Sequence, residues 1–231
     1  MRECVVEDLG RMSYGEAFEI QSKIASERKQ GRGLDHLLFV EHPHVITMGR
    51  DGHRENLLAS EETLRQAGIE LYETDRGGDV TYHGPGQIVA YPIMDLREWK
   101  RDVGAFVRAI EQVLIDTLTD FGIRASRIAG LPGVWVAPAI LSPVPFPRAE
   151  AKIAAIGVHL SRWVSTHGWA LNLSTDLEYF QYIVPCGLSK PVTSMAALGV
   201  HADSEDVKST LARHFGRAFD FELQREIVGI I

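Results

Sequence analysis

Cysteine is scarce in this sequence, and long apolar runs are missing from it. The 231 residues include two cysteines, Cys4 and Cys186, which are too few for a disulfide framework. No stretch approaches the roughly 18 consecutive apolar residues of a membrane span. The N-terminus, which we expect to be ragged, carries no apolar run of signal-peptide length. These absences predict a reduced, soluble, cytoplasmic protein that does not engage membranes.

An excess of basic residues is also missing, because the formal net charge is -7. A mildly acidic chain is a poor candidate for nucleic-acid binding, which requires a basic face. Apolar residues make up 45% of the chain and charged residues 24%, so it can bury a sizeable core. The length suits a single domain over residues 1–231, and we expect a monomer because no large apolar surface stripe stands out.

Helical and extended patterns are both present but do not alternate strictly along the chain. Ser13 and Glu16 form a capping-box signature, and Asp102 is placed to cap a second helix. Four prolines make residues 138–150 a loop. The pattern predicts an α+β fold with a mixed β-sheet flanked by helices. The predicted helices span 14–30, 103–121 and 204–219, and the predicted strands span 36–41, 45–48, 69–73, 88–94, 123–128, 134–137, 152–160 and 166–173.

Cys186 lies between a proline and a glycine, in Val184-Pro185-Cys186-Gly187-Leu188. Proline restricts the backbone on one side and glycine frees it on the other, so we expect a turn that can present the sulfur to a ligand. Most lone cysteines are inert and buried, and the pentapeptide alone leaves that interpretation open.

Lys152 is the second residue of an otherwise apolar extended run over residues 151–158. In a regular strand Lys152 would share a face with Ala154, Ile156 and Val158. A lysine at the edge of such a strand either reaches solvent or is held beside a functional site. Beside a thiol, whose ordinary pKa is about 8.5, it would favour the thiolate and exchange protons with the leaving and attacking groups.

A glycine-rich segment of twelve residues contains four glycines and one proline. Such a segment turns tightly and lets a ligand approach the main chain closely. It lacks the Gly-Lys-Ser/Thr ending of a phosphate loop. A plain hairpin would not require the arginine, histidine and glutamine that cluster here. The segment reads Arg76-Gly77-Gly78-Asp79-Val80-Thr81-Tyr82-His83-Gly84-Pro85-Gly86-Gln87.

Small and large residues alternate in the run Thr166–Leu173, where Gly168 and Ala170 flank Trp169. A strand face lined by small side chains leaves room for a narrow apolar ligand. Ordinary close packing between strands explains the same alternation equally well.

Taken together, these segments closely resemble the lipoyl(octanoyl) transferase (LipB) family over the region from about Leu37 to Leu198. Four motifs in the order and spacing of the family are far more specific than any one of them. The resemblance implies the fold of the biotin/lipoate protein ligase catalytic domain. The family patterns are Arg-Gly-Gly-x-x-Thr-x-His-Gly-Pro-Gly-Gln at 76–87, Lys-Ile-Ala-x-Ile-Gly-Val at 152–158, His-Gly-x-Ala-Leu-Asn at 167–172 and Pro-Cys-Gly at 185–187.

The resemblance also implies an activity, partners and site residues. Members move an octanoyl group from acyl carrier protein to a specific lysine on the lipoyl domains of 2-oxoacid dehydrogenases and on the glycine cleavage H protein, without a cofactor. Cys186 would carry the octanoyl group as a thioester, and Lys152 would lower the pKa of that thiol and handle protons. The implied substrate-binding residues are Arg76, Gly77, Gly78, Asp79, Val80, Thr81, Tyr82 and His83, then Ala155, Ile156 and Gly157, and then Gly168, Trp169 and Ala170.

Three other functions remain open at this point. An ATP-dependent lipoate-protein ligase shares the fold, but it activates a free acid as an adenylate and needs no nucleophilic cysteine. A non-enzymatic module would dock acyl carrier protein or a lipoyl domain, and a cysteine hydrolase would use His83 or His167 as a base. His42 and His44 faintly resemble a metal pair, but no further ligands cluster with them, so no metal is expected.

Overall fold

The computed structural model describes residues 2–137, 150–184 and 190–225. Cys186 and most of the predicted proline-rich loop lie outside these residues. The described residues form helices α1 (Tyr14–Lys29), α2 (Glu61–Gln66), α3 (Val103–Asp120) and α4 (Ser204–Phe219), and strands β1 (Arg2–Arg11), β2 (Asp35–Glu41), β3 (Val45–Met48), β4 (Glu70–Glu73), β5 (Val80–His83), β6 (Gln87–Ile93), β7 (Ala125–Ile128), β8 (Leu131–Val136), β9 (Ala151–Ser161), β10 (Val164–Asn172) and β11 (Phe221–Arg225).

Among the described residues there are two sheets, and the larger has eight strands in the order β11-β1-β2-β6-β10-β9-β8-β7. β1 pairs in parallel with both β11 and β2, whereas β2, β6, β10, β9, β8 and β7 pair in antiparallel fashion along the rest of the sheet. A smaller sheet has the order β4-β3-β5. The predicted α+β fold with a mixed sheet is therefore confirmed.

Local signals in the sequence explain where the main helices begin. At the start of α1, the Ser13 hydroxyl accepts the N–H of Glu16 while the Glu16 carboxylate accepts the N–H of Ser13, which completes the predicted capping box. At the start of α3, the Asp102 carboxylate accepts the N–H of Ala105 at 2.9 Å. Each cap satisfies main-chain donors that the first turn of a helix leaves without a partner.

Alternate residues of β2 bury opposite faces of the large sheet. Leu37 and Phe39 belong to the core that the sheet forms with α3 and α4. Leu38 and Val40 belong to a second core beneath α1. A strand that is apolar on both faces must lie in the middle of a layered structure, so α1 covers one face of the large sheet and α3 with α4 covers the other.

The prediction of a ragged N-terminus is wrong, because the first described residues form β1. Its Cys4 is fully buried, and its main chain is paired with β2 and β11 on both sides. The strand was missed because Cys4, Val5 and Val6 are a short apolar run whose partners come from distant parts of the chain. Among the described helices, none has the length and apolar character that a membrane crossing requires.

Candidate active site

Arg76 fixes the turn of the glycine-rich segment through hydrogen bonds to main-chain oxygens. Its side chain is buried, and its Nη2 donates to the carbonyl oxygens of Thr47 and Asp79, each at 2.6 Å. Its Nε donates to Thr47 Oγ1 at 3.0 Å. Because Thr47 belongs to β3, the guanidinium ties the turn to the small sheet, and the shape of the turn is set by the protein's own main chain.

The turn lies directly on β9. The N–H of Gly77 donates to the carbonyl oxygen of Val158 at 3.0 Å, and a Cβ at Gly157 would lie 2.9 Å from the Gly77 carbonyl oxygen. Gly78 has a φ of 84°, in the left-handed region that favours glycine. These glycines permit a main-chain contact that any side chain at Gly157 would push apart.

A pocket opens on the α1 side of the large sheet, between β5 and strands β6, β9 and β10. It is lined by all the predicted substrate-binding residues except Val80 and Tyr82. Those two side chains pack instead with Ile46 in the core of the small sheet, because successive residues of β5 point to opposite faces. Three stretches that are far apart in sequence thus meet at one pocket. Their binding of substrate remains a prediction.

Four further residues line the same pocket and were not predicted to bind substrate. Tyr14 begins α1, and nothing in its local sequence marks it as part of a site. His167 directly precedes Gly168 in a recognised motif, so the motif itself was the signal for it. The four additional lining residues are Tyr14, Val89, Tyr91 and His167.

His83 is held in one tautomer by a chain of hydrogen bonds. The Thr193 carbonyl can only accept, so Asn172 Nδ2 donates to it at 2.9 Å, and Asn172 Oδ1 accepts from Gln87 Nε2 at 2.9 Å. Gln87 Oε1 then accepts from His83 Nδ1 at 2.7 Å. Burial lowers the pKa of His83 to about 3, so the ring is neutral and its Nε2 is a hydrogen-bond acceptor.

His167 links α1 to Asp75 and has an unusual backbone conformation. Its Nε2 donates to the Asp75 carboxylate at 2.7 Å, and its Nδ1 accepts from the Tyr14 hydroxyl at 3.2 Å. Its φ of 57° is rare for a residue with a side chain, and its N–H donates to Gln21 Oε1 at 2.8 Å. Burial lowers the pKa of His167 while Asp75 opposes that shift. Both ring nitrogens are engaged, so the ring is fixed in the pocket wall.

Lys152 lies on the pocket side of β9, so the prediction that it shares a face with Ala154 is wrong. Ala154 pairs with Val134, whereas Lys152 pairs with the next residue of β8, so β9 holds one extra residue between them. Ala154 packs in the core beneath α3 and α4, but Lys152 lines a small pocket together with Ala155. Because of this bulge, Lys152 lies on the face opposite to the one that regular alternation predicts.

The main chain of Lys152 holds the segment that follows Cys186. The Lys152 N–H donates to the Pro191 carbonyl at 2.9 Å, and the Lys152 carbonyl accepts the N–H of Thr193 at 2.9 Å. The buried side chain places its Nζ 4.8 Å from the centroid of the Trp135 ring. Cys186 itself lies outside the described residues, so its distance from Lys152 is a prediction.

His42 and His44 engage separate partners. His42 Nδ1 donates to the Met12 carbonyl at 2.8 Å, and its Nε2 accepts from the Tyr91 hydroxyl at 2.7 Å. Burial lowers the pKa of His42 to about 4. His44 Nδ1 lies 2.8 Å from the Tyr82 hydroxyl. Within residues 2–137, 150–184 and 190–225, no group of three or more histidine, cysteine or carboxylate side chains is placed to hold a metal ion.

Comparison with known proteins gives consistent matches in sequence and in fold. Residues 13–216 match the family described as "Lipoyl protein ligase A/B catalytic domain". An octanoyltransferase from Solibacter usitatus is 63% identical over 223 residues, which cover 96% of each chain. A bipartite lipoate protein ligase from Thermoplasma acidophilum has a TM-score of 0.72 at 16% identity and covers 98% of this chain and 87% of its own. A biotin protein ligase from Aquifex aeolicus has a TM-score of 0.53 at 10% identity, covering 95% and 71%. The predicted biotin/lipoate ligase fold is confirmed.

Proposed function

Because the chain belongs to the lipoyl protein ligase A/B catalytic-domain family, we propose that it transfers an octanoyl group from acyl carrier protein to a lysine of lipoyl domains. It is an acyltransferase that acts in protein lipoylation. The observation that carries the mechanism is the position of Lys152. The lysine lines a small pocket that also includes Ala155 and Ala170, two residues of the predicted substrate pocket, and its main chain is hydrogen-bonded to Pro191 and Thr193, which follow Cys186.

In the first step the Cys186 thiolate attacks the carbonyl carbon of the carrier thioester. The carrier's carbon–sulfur bond breaks, the carrier thiol leaves with a proton supplied by Lys152, and the octanoyl group stays on Cys186. In the second step the amine of the acceptor lysine attacks that thioester and gives up a proton to the now neutral Lys152, which restores its ammonium, and Cys186 leaves as a thiolate. The first step exchanges one thioester for another and the second forms an amide, so the enzyme needs to supply only placement and proton transfer.

The chain reaches Cys186 from an anchored position on either side. Val184, two residues before Cys186, donates its N–H to the Asn56 carbonyl, and two residues span at most about 7 Å. Asn56 and Lys152 line the same larger pocket, whose volume is about 640 Å³. The bond of Val184 to Asn56 before Cys186, and the bonds of Pro191 and Thr193 to Lys152 after it, support a thiol that lies within proton-transfer reach of Lys152.

The pocket beneath the glycine-rich segment suits an octanoyl chain because small residues line the strands. Ala155 on β9 pairs with Ala170 on β10, and both line the pocket. Burying about six methylenes at roughly 0.8 kcal/mol each contributes about 5 kcal/mol of binding. Each missing methylene should therefore weaken binding several-fold, which lets the pocket select chain length.

The donor, the acceptors and the setting complete the proposal. The acceptors are the lipoyl domains of 2-oxoacid dehydrogenases and the glycine cleavage H protein. A thiol nucleophile has to stay reduced, which favours a cytoplasmic location. Residues 1–231 form a single catalytic domain in this proposal, because β1 and β11 lie side by side in the sheet that carries the site. The domain acts as a monomer, since no large apolar surface stripe stands out in the sequence.

Intact-protein mass spectrometry tests the acyl-enzyme directly. The protein is mixed with octanoyl-acyl carrier protein in the absence of an acceptor. We expect a gain of one octanoyl group that hydroxylamine removes and that Cys186→Ala lacks. Full transfer to a lipoyl domain by Cys186→Ala would reject the thioester route. Transfer that requires ATP and free octanoate would instead identify a ligase, which the sequence relatives disfavour.

A hydrolase is the alternative that one observation supports. The Nε2 of His83 is an acceptor at the pocket wall, whereas both nitrogens of His167 are engaged, so of the two rings only His83 has a nitrogen open to a water molecule. Its pKa of about 3 makes it a weak base, so hydrolysis through His83 would be slow. Release of free octanoate from the carrier at the rate of acyl-enzyme formation, without an acceptor, would favour this alternative.

A further inference from the structure

Residues 56–58 form a short loop that binds the chain just before the Cys186 segment. The N–H of Val184 donates to the Asn56 carbonyl at 2.7 Å, and Leu57 and Ile183 form an isolated β-bridge beside it. The N–H of Leu58 donates to the Tyr182 carbonyl at 2.9 Å. The loop therefore fixes the position of Val184.

Asn56 is itself tied to the glycine-rich segment by Asp79. Its Nδ2 donates to Asp79 Oδ2, while Asp79 Oδ1 accepts the N–H of His53 at 3.0 Å and the N–H of Val80 at 2.8 Å. The Asp79 side chain is buried, and the Asp79 carbonyl accepts from Arg76. A buried carboxylate that is bonded to three N–H groups holds its partners in one geometry, because losing any of them leaves a charge poorly solvated.

A second asparagine, this time through its side chain, holds the chain on the far side of the Cys186 segment. Asn172 Nδ2 donates to the Thr193 carbonyl, and the N–H of Thr193 donates to the Lys152 carbonyl. The two flanks of residues 185–189 are therefore each held by an asparagine. Before residue 185 the hydrogen bonds lead from Val184 through Asn56 to Asp79, and after residue 189 they lead from Thr193 to Lys152.

We propose that Asn56, oriented by Asp79, is a positioning residue for acyl transfer, because it sets the approach of the Cys186 segment to Lys152. The proposal rests on the proposed function. It gives Asp79 a role other than contact with the acyl chain, since both of its carboxylate oxygens are taken by N–H donors. Loss of the hydrogen bond between the Asn56 and Asp79 side chains should slow formation of the acyl-enzyme and leave the half-saturating concentration of donor unchanged.

Exchanging the two side chains separates positioning from folding. Asn56→Asp sets two carboxylates against each other, whereas the double variant Asn56→Asp with Asp79→Asn restores the hydrogen bond with donor and acceptor reversed. Asn56→Ala is the second single variant, because it removes this hydrogen bond but keeps the main-chain carbonyl that holds Val184. The control is Gln224→Glu, which makes the same change opposite Glu3 at the sheet edge, where Gln224 Nε2 donates to Glu3 Oε1.

The readouts are the single-turnover rate of octanoyl-enzyme formation, its half-saturating donor concentration, and the melting temperature. We expect Asn56→Asp and Asn56→Ala to be slowed about 10- to 100-fold, since small misplacements cost this much, and the double variant to recover to within a few-fold of the parent rate. Gln224→Glu should react at the parent rate. The half-saturating concentration should stay the same throughout.

Two outcomes would overturn the proposal. One is a parent-like rate in both Asn56 variants. The other is a double variant that is as slow as Asn56→Asp while its melting temperature is restored. The same variants are also compared in octanoyl transfer to a lipoyl domain. If the parent protein gives no hydroxylamine-sensitive adduct, the thioester step fails, and the order of the transfer rates still decides the role of Asn56.

Discussion

The ammonium nitrogen of Lys152 lies over the ring of Trp135, 4.8 Å from its centroid. Trp135 is buried, and its Nε1 donates to the Leu131 carbonyl at 3.1 Å, so the ring is fixed in orientation. The Nζ of Lys190 lies 5.8 Å from the same centroid. An aromatic face attracts a cation with about 0.5–2 kcal/mol, so Trp135 helps to hold the Lys152 side chain in place.

Replacing Trp135 with phenylalanine should slow octanoyl transfer by about two- to thirty-fold, because the smaller ring is a weaker cation partner and loses its bond to Leu131. The half-saturating donor concentration should change little. The control is Trp99→Phe, since Trp99 packs against Phe106 and Phe219 in the helical layer. Equal rates for the two variants in a steady-state transfer assay would show that Trp135 matters only for packing.

Enlarging Ala170 should shift the preference toward shorter acyl chains. Ala170 lines the predicted acyl pocket and is almost fully buried, so the added methyl groups of Ala170→Val take space from the ligand. The ratio of kcat/KM for octanoyl over hexanoyl donors should fall by about fourfold for each methylene that no longer fits. Ala25→Val, another buried alanine in the α1 core, controls for overpacking. An unchanged ratio in Ala170→Val would place the chain elsewhere.

Acid should destabilise the protein through its buried histidines. Burial lowers the pKa of His83 to about 3 and that of His42 to about 4, whereas an unfolded histidine titrates near about 6.5. Both rings are neutral when folded, so their contribution to stability is complete above the unfolded pKa and is lost as pH falls below it. Between pH 6 and pH 5 the free energy of unfolding should fall by up to about 1.4 kcal/mol per pH unit for each ring.

Urea unfolding at pH 7.5, 6 and 5 measures this dependence. His83→Gln should remove about half of the slope that the two rings contribute, because glutamine does not titrate. His201→Gln, a substitution of an exposed histidine, is the matched control variant. A slope in His83→Gln equal to that of the parent would mean that His83 is already protonated in the folded protein.

The two cysteines should differ sharply in reactivity. Burial raises the pKa of the Cys4 thiol, and the side chain is fully buried. At neutral pH this thiol is therefore protonated and out of reach of reagents. Iodoacetamide should therefore label the native protein once, and Cys186→Ala should stay unlabelled until it is denatured. Peptide mapping of the label between pH 6 and pH 9 tests this expectation. Labelling of Cys4 before Cys186 would contradict it.

Local patterns were enough to predict most elements of this fold. Helix α4 was predicted with its observed bounds because its apolar stripe lies entirely within the helix. Strand β5 was not predicted, because the glycines around it suggested only turns and its partner β3 lies more than thirty residues earlier. Elements that depend on distant partners carry too little local signal for sequence to reveal them.

The candidate site was predictable where motifs supply residues and not where the backbone departs from regularity. The three stretches that the family resemblance assigned to substrate binding meet at one pocket, and their binding of substrate stays a prediction. The prediction of which face carries Lys152 was wrong because a bulge inserts one residue into β9, and no local property of Ile153 indicates that bulge. Tyr14 lines the pocket because of how α1 packs across the sheet, and that tertiary packing cannot be read from the sequence around Tyr14.

The parallel pairing of β1 with β11 has a consequence for how the molecule is assembled. Arg2 is in register with Phe221, so this part of the sheet joins the first described strand to the last. During synthesis β1 has one open edge until β11 is made, by which time the strands of the site are complete. The site can therefore form before the sheet is finished, and the nascent chain has an unpaired edge strand that is vulnerable to association with other chains.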